Sequence, residues 1–539
     1  MKTSANARIE MLNESGLWGE QTLHGLLAQH AAERPDALAC KDQPNRESLT
    51  GDLPLALTWS ELDHASDNVA AALQQSGVTS GDIVMVQLPN IVELLVTYYA
   101  MSKLGAVLSP VPTAYGIHEL RLISAALETD MLLTVTQMRG EPLADKASSA
   151  LPEGTVLIFG EDLHLFSDSP TGDLVTYAND ANAILTICWT SGTTGTPKGV
   201  PRSHNMWLAT GRCTATAGGM LSDDVLLNPF PLVNMASIGG FVFPAAILGS
   251  AIVLHHPLDP PLFLQQMQDE KVTFTIAPPA LLNQLAKTPA MWEQFDFSAL
   301  RRIGSGSAPL APWMIETFSR NYQKEIVNFY GSNEGISLFA TPETAPAADV
   351  RAAMFALPEQ GGVIETMIAD VETRRVITEN GVSGELLIRG ATVFDGYYAH
   401  DNADVFSDDG YFRTGDLVEL CGEDGEYYRI VGRCKDIINR GGMKISPQEI
   451  DIALEGHPDF AEAAVCAYSD ERLGEKICAC VVVSEPGLEV SLESLQKYLI
   501  DKGFAKFKLP ERVEVFVALP RNPLGKVQRF LLQDDVARR

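Results

Sequence analysis

Cysteine and histidine are sparse in this sequence, and neither is spaced as a metal site. The eight cysteines among 539 residues are scattered and include no C-x-x-C pair, which argues against a disulfide framework and against a zinc site. The ten histidines show no ligand spacing either. The first residues, MKTSANARIEMLNESG, lack the apolar core of a secretory signal, so we expect a cytoplasmic protein.

Long apolar runs and positive charge are also scarce. One uncharged stretch, Ile238 to Leu254, approaches membrane length, but it contains three glycines, Pro244 and Ser250. We therefore interpret it as a buried helix, a turn and a buried strand, and expect no membrane span. Lysine and arginine total 40 against 69 acidic residues, which gives a net charge of −29. This balance argues against nucleic acid as a partner but leaves nucleotides open, since they need only a local site.

Strand-length apolar runs alternate with helix-length segments from about residue 80 onward. The sequence DIVMVQLP is typical of a buried strand, and VELLVTYYAMSKLG of the helix that follows it. This alternation predicts an α/β fold with mostly parallel sheets covered by helices. A chain of 539 residues is also too long for a single core, so several domains are expected.

The pattern changes twice in the second half of the chain. We predict an N-terminal domain over 1–434, whose last part, about 345–434, is a β-rich subdomain of strands and tight turns. A small α+β domain follows over 435–539. Its first helix should begin after Ser446 as N-cap, with Glu449 at the spacing of a capping box.

The most distinctive short segment is CWTSGTTGTPKGVPRSH, from Cys188 to His204. Its glycine, serine and threonine residues allow backbone N–H and hydroxyl groups to surround an anion, and Lys198 supplies a positive charge. It is not a Walker P-loop, because Pro197 precedes Lys198 and Gly199 follows it. Composition alone supports a phosphate site and a flexible surface turn about equally.

Four further groups of motifs follow this segment in order. They are GSGSAPL (304–310) with NFYGSNEG (328–335), GELLIRG with GYY (384–398), GYFRTGDL (410–417) with GRCKDIINRGGMKISPQEI (432–450), and PRNPLGKVQR (520–529). Taken together, the five resemble the adenylate-forming superfamily of acyl-CoA synthetases, aryl-acid ligases, peptide-synthetase adenylation domains and luciferases. The resemblance extends over roughly residues 20–535.

The resemblance implies a two-step reaction. A carboxylate attacks the α-phosphate of ATP to give an acyl-adenylate and pyrophosphate, and the acyl group then passes to a thiol. The implied small molecules are ATP, Mg²⁺, a carboxylic acid and CoA as co-substrate. The first step requires neutralisation of triphosphate charge and in-line positioning.

The resemblance also implies the residues that bind ATP and AMP. Tyr330 is expected to stack on adenine, Asp416 and Arg433 to reach the ribose, and Glu334 to hold Mg²⁺. The catalytic set is Lys526, which would meet the acyl carboxylate and the α-phosphate, with Glu334 and Lys198. The nucleotide-binding set is Thr190, Ser191, Gly192, Thr193, Thr194, Gly195, Lys198, Ser307, Ala308, Pro309, Asn328, Tyr330, Gly331, Ser332, Asn333, Asp416, Arg433 and Lys526.

A mobile C-terminal domain is implied as well, because Lys526 and the phosphate loop fall in different domains. Lys435 stands at the position that the superfamily uses as a hinge. Gly441 and Gly442 would line the tunnel for the incoming thiol, where a narrow arm must pass close to the backbone.

Two positions depart from the common pattern and bear on the substrate. Asn333 replaces the usual threonine and can still donate to an α-phosphate oxygen. Asn234 stands where many acyl-CoA synthetases have histidine, and near where aryl-acid ligases have an asparagine that bonds a ring hydroxyl. A neutral amide argues against an α-amino acid substrate and permits a plain acid or one with a hydroxyl. The acyl-pocket candidates, some of which could equally be core residues, are Asn234, Met235, Ile238, Gly239, Gly306, Gly335 and Ile336.

The resemblance leaves several readings open. An acyl-CoA synthetase for a medium-chain, alicyclic or aromatic acid is favoured. The alternative is an acid–AMP ligase that loads the phosphopantetheine of a separate acyl or aryl carrier protein. A third interpretation is a nucleotide-binding regulator that has lost its chemistry. The presence of all five residues that such a protein would be free to lose argues against it: Lys198, Glu334, Asp416, Arg433 and Lys526. A homodimer is compatible with each reading.

Overall fold

The computed structural model describes residues 1–166, 180–190, 197–359, 361–521 and 527–539. The strands, in chain order, are β1 (Leu38–Lys41), β2 (Ala56–Thr58), β3 (Ile83–Gln87), β4 (Val107–Pro110), β5 (Met131–Val135), β6 (Thr155–Phe159), β7 (Ile184–Thr190), β8 (Lys198–Ser203), β9 (Val225–Asn228), β10 (Ala251–Leu254), β11 (Phe274–Ile276), β12 (Arg302–Gly306), β13 (Glu325–Gly331), β14 (Ser337–Ala340), β15 (Met354–Ala356), β16 (Ile364–Ala369), β17 (Ser383–Gly390), β18 (Phe412–Cys421), β19 (Tyr427–Arg433), β20 (Ile438–Arg440), β21 (Met443–Ile445), β22 (Phe460–Asp470), β23 (Gly474–Val483) and β24 (Arg512–Val515).

The helices lie between these strands and at both ends of the described chain. They are α1 (Asn6–Glu14), α2 (Leu23–Glu33), α3 (Arg46–Thr50), α4 (Trp59–Gln75), α5 (Val92–Leu104), α6 (Ile117–Leu127), α7 (Leu143–Ala150), α8 (His204–Gly218), α9 (Met235–Ser237), α10 (Phe243–Leu248), α11 (Pro260–Asp269), α12 (Pro279–Lys287), α13 (Pro289–Trp292), α14 (Pro312–Thr317), α15 (Ala348–Ala353), α16 (Pro447–Glu455), α17 (Leu492–Asp501) and α18 (Arg529–Arg538). Short π-helical turns connect α9 to α10 and follow α14, and a 3₁₀ turn spans Lys506–Lys508. Within the described residues, no helix combines the length and apolarity needed to cross a membrane.

Two large sheets carry the first part of the chain. One has six strands in the order β6-β5-β3-β4-β7-β8 and the other has eight in the order β14-β13-β12-β11-β9-β10-β1-β2. Neighbours are parallel except β7 with β8, β13 with β14 and β1 with β2. The predicted mostly parallel sheets are therefore confirmed, and the antiparallel pairs lie at sheet edges.

Helices cover both sheets, and α5 illustrates why. Almost every residue of VELLVTYYAMSKL is buried, as expected of a helix that is apolar all round and packs between layers. The Tyr98 hydroxyl keeps its hydrogen bond inside the core by donating to the Leu232 carbonyl at 2.8 Å. The helix ends at Gly105, as the sequence predicts.

The β-rich segment forms a sheet of its own. Its five strands run in the order β15-β19-β18-β17-β16, and every neighbouring pair is antiparallel. Asp416 on β18 stands opposite Arg433 on β19 in this register. The sheet thereby presents an acidic and a basic side chain at one place, directly before the C-terminal part of the chain begins.

The C-terminal part combines a sheet with helices α16, α17 and α18. The sheet order is β21-β20-β23-β22, with β24 parallel to β23. The helix predicted after Ser446 begins at Pro447, but the predicted capping box is wrong. The Ser446 hydroxyl makes no cap bond, and the Glu449 carboxylate pairs instead with Lys508 at 2.6 Å. A tertiary ion pair thus takes the place of the local hydrogen bond between the Glu449 side chain and the backbone.

Candidate functional site

Two predicted nucleotide-binding segments lie at one edge of the eight-stranded sheet. Strands β12 and β13 are parallel neighbours, with Gly306 opposite Phe329, so the segments that follow them emerge side by side. Ser307 turns the first segment with a left-handed φ of 66° and leads to Ala308 and Pro309. The second segment runs through Gly331 and Ser332 to Gly335. Parallel sheets bind ligands at this carboxyl edge.

Asn328 is placed differently from the other members of that predicted set. Its side-chain amide donates to the carbonyls of Arg351 and Ala352, both at 3.0 Å, and the residue is buried. These bonds attach β13 to helix α15. In the described structure Asn328 therefore stabilises the strand that carries Tyr330.

Tyr330, Asp416 and Arg433 form a compact cluster across two sheets. The Tyr330 hydroxyl donates to Asp416 Oδ2, and Arg433 Nε pairs with Asp416 Oδ1 at 2.8 Å. Burial, and then the Asp416 carboxylate, raises the pKa of the Tyr330 hydroxyl well above its usual range, so it remains a hydrogen-bond donor. The Tyr330 ring packs against Phe355 at 5.7 Å between centroids.

The phosphate-loop motif is a connection between β7 and β8. The two strands are antiparallel, and Thr190 pairs with Lys198 where the connection begins and ends. The predicted residues Ser191, Gly192, Thr193, Thr194 and Gly195 lie outside the described residues, as does Lys526. The Lys198 ammonium lies over the Tyr397 ring, 4.6 Å from its centroid.

Glu334 contacts the same tyrosine. The Tyr397 hydroxyl donates to Glu334 Oε1 at 2.9 Å. Burial, followed by the Glu334 carboxylate, raises the pKa of Tyr397, which keeps the hydroxyl protonated. Tyr397 lies in the GYY motif, but no role for it follows from the sequence, because its two partners lie far away in the chain.

Asn333 and Arg202 join three sheets at one point. Asn333 accepts a bond from the Met235 backbone N–H at 2.8 Å and donates to the Trp189 carbonyl at 3.3 Å. Arg202 on β8 donates to the Asn333 carbonyl at 2.9 Å and to the Thr392 carbonyl at 2.8 Å. An amide group has two donor hydrogens, and within the described ranges only one of those of Asn333 has an acceptor. No role for Arg202 follows from the sequence.

Gly335 closes this loop against the β-rich subdomain. Its φ is +115°, and a Cβ there would lie 2.1 Å from the Thr392 carbonyl oxygen. The Thr392 hydroxyl donates to the Gly335 carbonyl at 2.7 Å. Only glycine combines this backbone conformation with so close a backbone approach.

Four of the acyl-pocket candidates, Asn234, Met235, Ile238 and Gly239, lie in and beside α9. The Asn234 side chain caps that helix by accepting the Ala236 N–H at 3.1 Å, which engages its oxygen. A Cβ on Gly239 would lie 2.8 Å from the Met235 sulfur. Ile238 and Ile336 are almost completely buried, and each belongs to a hydrophobic core cluster.

The hinge and tunnel candidates follow β19. Lys435 is exposed as a residue. Partial desolvation of its ammonium, together with the charge of Arg433, lowers its pKa. The preceding Cys434 N–H donates to the Gly415 carbonyl at 2.9 Å. Gly441 and Gly442, with φ of 57° and 84°, form the two-residue turn between β20 and β21.

A cleft of about 380 Å³ opens beside these elements. Its lining includes Lys198 and Tyr397 together with Thr414, Gly415 and Cys434. The cleft therefore joins the base of the phosphate loop to the strand that carries Asp416 and to the approach to Lys435.

The fold combines two helix-covered, mostly parallel sheets, a β-rich sheet and a C-terminal α+β unit. This combination is the architecture of adenylate-forming enzymes. A solved structure of ATP-bound MatB from Rhodopseudomonas palustris matches with a TM-score of 0.82 and 25% identity, over 96% of this chain and 99% of that one.

The family follows from the sequence models. The model for AMP-binding enzyme matches residues 27–398, and that for AMP-binding enzyme C-terminal domain matches residues 449–526. The first match alone covers more than half of the chain, which therefore belongs to the AMP-binding enzyme family.

Two relatives are similar over nearly their whole length. The medium-chain fatty-acid–CoA ligase of Escherichia coli K12 is 31% identical, covering 98% of this chain and 92% of the relative. The salicylyl-CoA synthase / salicylate adenylyltransferase of a Streptomyces species is also 31% identical, covering 97% and 95%. Both names describe the activation of a carboxylic acid.

Proposed function

We propose that this protein activates a carboxylic acid with ATP, releases pyrophosphate and transfers the acyl group to CoA. The observation that carries the proposal is the meeting of the Tyr330–Asp416–Arg433 cluster with Lys198 and Glu334 at one junction. Membership of the AMP-binding family supports it, and so does the full-length similarity to an acid–CoA ligase.

The aromatic and charged cluster provides the nucleoside site. The Tyr330 ring offers a face for adenine, and the Asp416 carboxylate can accept the ribose hydroxyls, because each oxygen retains a lone pair beyond its present bond. The ion pair with Arg433 holds that carboxylate in place. Ser307 to Pro309 and Gly331 to Asn333 form the adjoining backbone walls.

Mg²⁺ fits the donor set at Glu334. One carboxylate oxygen accepts the Tyr397 hydroxyl, which leaves the other for a ligand. Among the described residues no group of three acidic, cysteine or histidine side chains could hold a metal, so the ion would rest on this carboxylate and on phosphate oxygens. When bound, it would neutralise charge on the triphosphate.

Activation then requires the acid beside the α-phosphate. A carboxylate oxygen attacks the α-phosphorus, and the bond to the bridging oxygen breaks, so that pyrophosphate leaves with that electron pair. Lys198 and the loop 190–195 would hold the β- and γ-phosphates, and Lys526 would stabilise the charge that develops between the acid and the α-phosphate.

Thiol transfer would follow a rotation of the C-terminal domain. We place the boundary between 1–434 and 435–539, with Lys435 as hinge and the Gly441–Gly442 turn beside the thiol path. The CoA sulfur attacks the acyl carbonyl carbon, and AMP leaves. The bond from the Cys434 N–H to the Gly415 carbonyl holds the chain just after β19, and this supports a pivot at the next residue.

The acid is proposed to be medium-chain, alicyclic or aromatic. The pocket candidates Asn234, Met235, Gly239 and Gly306 carry no charge, so they offer no partner for an α-ammonium or for a second carboxylate. Similarity to one fatty-acid ligase and to one salicylate-activating enzyme supports this range.

Pyrophosphate release on a panel of acids, with and without CoA, tests the proposal. The panel runs from medium-chain through alicyclic to benzoic and hydroxybenzoic acids, with Lys526→Ala as the inactive control. Turnover that requires CoA and yields an acyl-CoA is expected. ATP–pyrophosphate exchange without any thioester would favour loading of a carrier protein instead, and no exchange with any acid would overturn the proposal.

A further inference from the structure

One tyrosine side chain touches two residues of opposite charge. The Tyr397 hydroxyl donates to Glu334 Oε1 at 2.9 Å, while the Lys198 ammonium lies 4.6 Å from the centre of its ring. Both distances fall within the range of the respective interactions. Tyr397 therefore stands between the proposed magnesium ligand and the proposed phosphate lysine.

The backbone around Tyr397 is held in place from three sides. The Tyr398 N–H donates to the Gly199 carbonyl at 2.9 Å, which fixes the segment to the strand of Lys198. The Phe394 N–H donates to the Glu334 carbonyl at 2.9 Å, which fixes it to the loop of Glu334.

A side chain completes the restraint on the backbone. Asn402 Oδ1 accepts the Tyr397 N–H at 2.8 Å, and Asn402 Nδ2 donates to the Tyr397 carbonyl at 3.1 Å. The ring itself packs edge-on against Phe394, with 4.9 Å between centroids. The position of the hydroxyl and of the ring face is thus set independently of any ligand.

A direct ion pair between Lys198 and Glu334 would leave neither charge available to a charged ligand. Within the described part of the chain neither residue forms an ion pair; the phenol lies against both instead. A neutral side chain can satisfy each charge weakly, because a cation is attracted to the ring face and a carboxylate to the hydroxyl. The ammonium and one carboxylate oxygen then remain free to meet a charged ligand.

We propose that Tyr397 is a positioning residue that keeps Lys198 and Glu334 apart and oriented for a magnesium–nucleoside triphosphate. This inference rests on the proposed function, since it assigns Tyr397 through those two residues. The two parts of the side chain have separate tasks. The hydroxyl orients Glu334 for the metal ion, and the ring orients Lys198 for the phosphates.

Binding of an uncleavable ATP analogue tests this without turnover. The probe is ATP with a methylene bridge between the α- and β-phosphorus atoms, titrated calorimetrically into the full-length chain with and without Mg²⁺. Tyr397→Phe keeps the ring and loses the hydroxyl, so we expect about tenfold weaker binding with Mg²⁺ and wild-type binding without it. Tyr397→Leu should weaken binding in both conditions.

Two controls make the test specific. Tyr398→Phe changes the neighbouring tyrosine, whose backbone N–H makes the bond to Gly199, and should bind as wild type. In a Glu334→Gln background the effect of Tyr397→Phe should disappear, because the hydroxyl acts through that carboxylate. Melting temperatures of the free variants check that each one folds.

Two results would overturn the role of Tyr397 alone, and a third would overturn the proposed function as well. Equal binding by Tyr397→Phe and wild type with Mg²⁺, or an equal loss with and without Mg²⁺, would rule out the assigned role while wild-type binding leaves the proposed function standing. Wild-type protein that binds no analogue in either condition would overturn the proposed function and the role of Tyr397 together.

Discussion

The side chain of Asn333 accepts a hydrogen bond from the backbone nitrogen of Met235 at 2.8 Å. Met235 begins helix α9 in the proposed acyl pocket, and Asn333 precedes the proposed magnesium ligand Glu334. The same amide donates to Trp189, next to the last residue of β7. One side chain therefore joins the acid side, the metal side and the phosphate side of the site.

Replacement of Asn333 by alanine should weaken acid binding more than ATP binding. The change leaves the Met235 N–H without its acceptor, and a lost hydrogen bond of this kind costs about 0.5–1.5 kcal/mol. We expect the KM for the acid to rise about tenfold and the KM for ATP by less. Steady-state pyrophosphate release measures both. Asn380→Ala, which removes an exposed amide bonded to Gly422, is the control, and equal changes in the two constants would contradict the prediction.

Arg202 should be sensitive even to lysine. Its buried guanidinium donates to the carbonyls of Asn333, Met206 and Thr392 and to the Thr210 hydroxyl. A lysine ammonium cannot reach acceptors in so many directions, so Arg202→Lys should lower the free energy of unfolding by about 2–4 kcal/mol.

Urea unfolding would measure that difference. The exposed Arg320 provides the matched control, since its side chain is 76% exposed and pairs only loosely with Glu316 at 3.6 Å. Arg320→Lys should stay within about 0.5 kcal/mol of wild type. Similar losses of unfolding free energy in the two variants would show that the buried contacts of Arg202 do not account for its effect on stability.

His204 should make the protein sensitive to acid. Burial, with His24 as the next cause, lowers the pKa of His204 to about 3, and its Nδ1 accepts the Leu23 N–H at 3.2 Å. The folded state thus binds its proton more weakly than the unfolded state, whose histidine pKa is about 6.5. Stability is therefore retained above about pH 6.5 and lost as the pH falls from there toward 3.

The variant His204→Asn keeps an acceptor for Leu23 and has no proton to bind. Relative to this variant, wild type should lose roughly 1 kcal/mol of unfolding free energy for each pH unit below about 6. Chemical denaturation between pH 4.5 and 7.5 (about two units on the acid side) would reveal the slope. His118→Asn, on the exposed surface, should leave the wild-type slope unchanged; parallel curves for wild type and His204→Asn would refute the assignment.

Gly335 and Gly410 separate backbone strain from steric conflict. Both have positive φ, but a Cβ at Gly335 would lie 2.1 Å from the Thr392 oxygen, whereas at Gly410 nothing lies within 4 Å. Gly410→Ala should cost about 1–2 kcal/mol of stability. Gly335→Ala should cost clearly more and abolish pyrophosphate release, because the loop of Glu334 must move. Thermal melts and activity assays of the pair would decide, and equal costs would argue against the conflict.

Local patterns in the sequence were sufficient for much of the fold. The helix over Val92–Leu104 and the strands around it follow from hydrophobic runs and from Gly105, which act over a few residues. The order of the motifs was sufficient for the superfamily. Tyr330 was predicted to stack on adenine, and Asp416 and Arg433 to reach the ribose. The structure brings the three side chains into contact, while these roles stay predictions.

The unpredicted features depend on contacts between distant parts of the chain. Tyr397 meets Glu334 across 63 residues and Arg202 meets Asn333 across 131, so no spacing in either motif indicates the pair. The capping box at Ser446 failed for the same reason. Glu449 found Lys508, 59 residues away, and a charged partner at 2.6 Å competes well with a backbone N–H.

The shared loop from Ser332 to Gly335 limits how such a protein can change its preferred acid. Its side chains and backbone are bonded to α9, to β7, to β8 and to the segment around Thr392 at once. A new acid that displaced Met235 would pull on Asn333 and hence on Glu334. Altered substrate preference should therefore arise by exchanging this loop together with α9 as one inherited block, and single pocket substitutions should usually reduce ATP use as well.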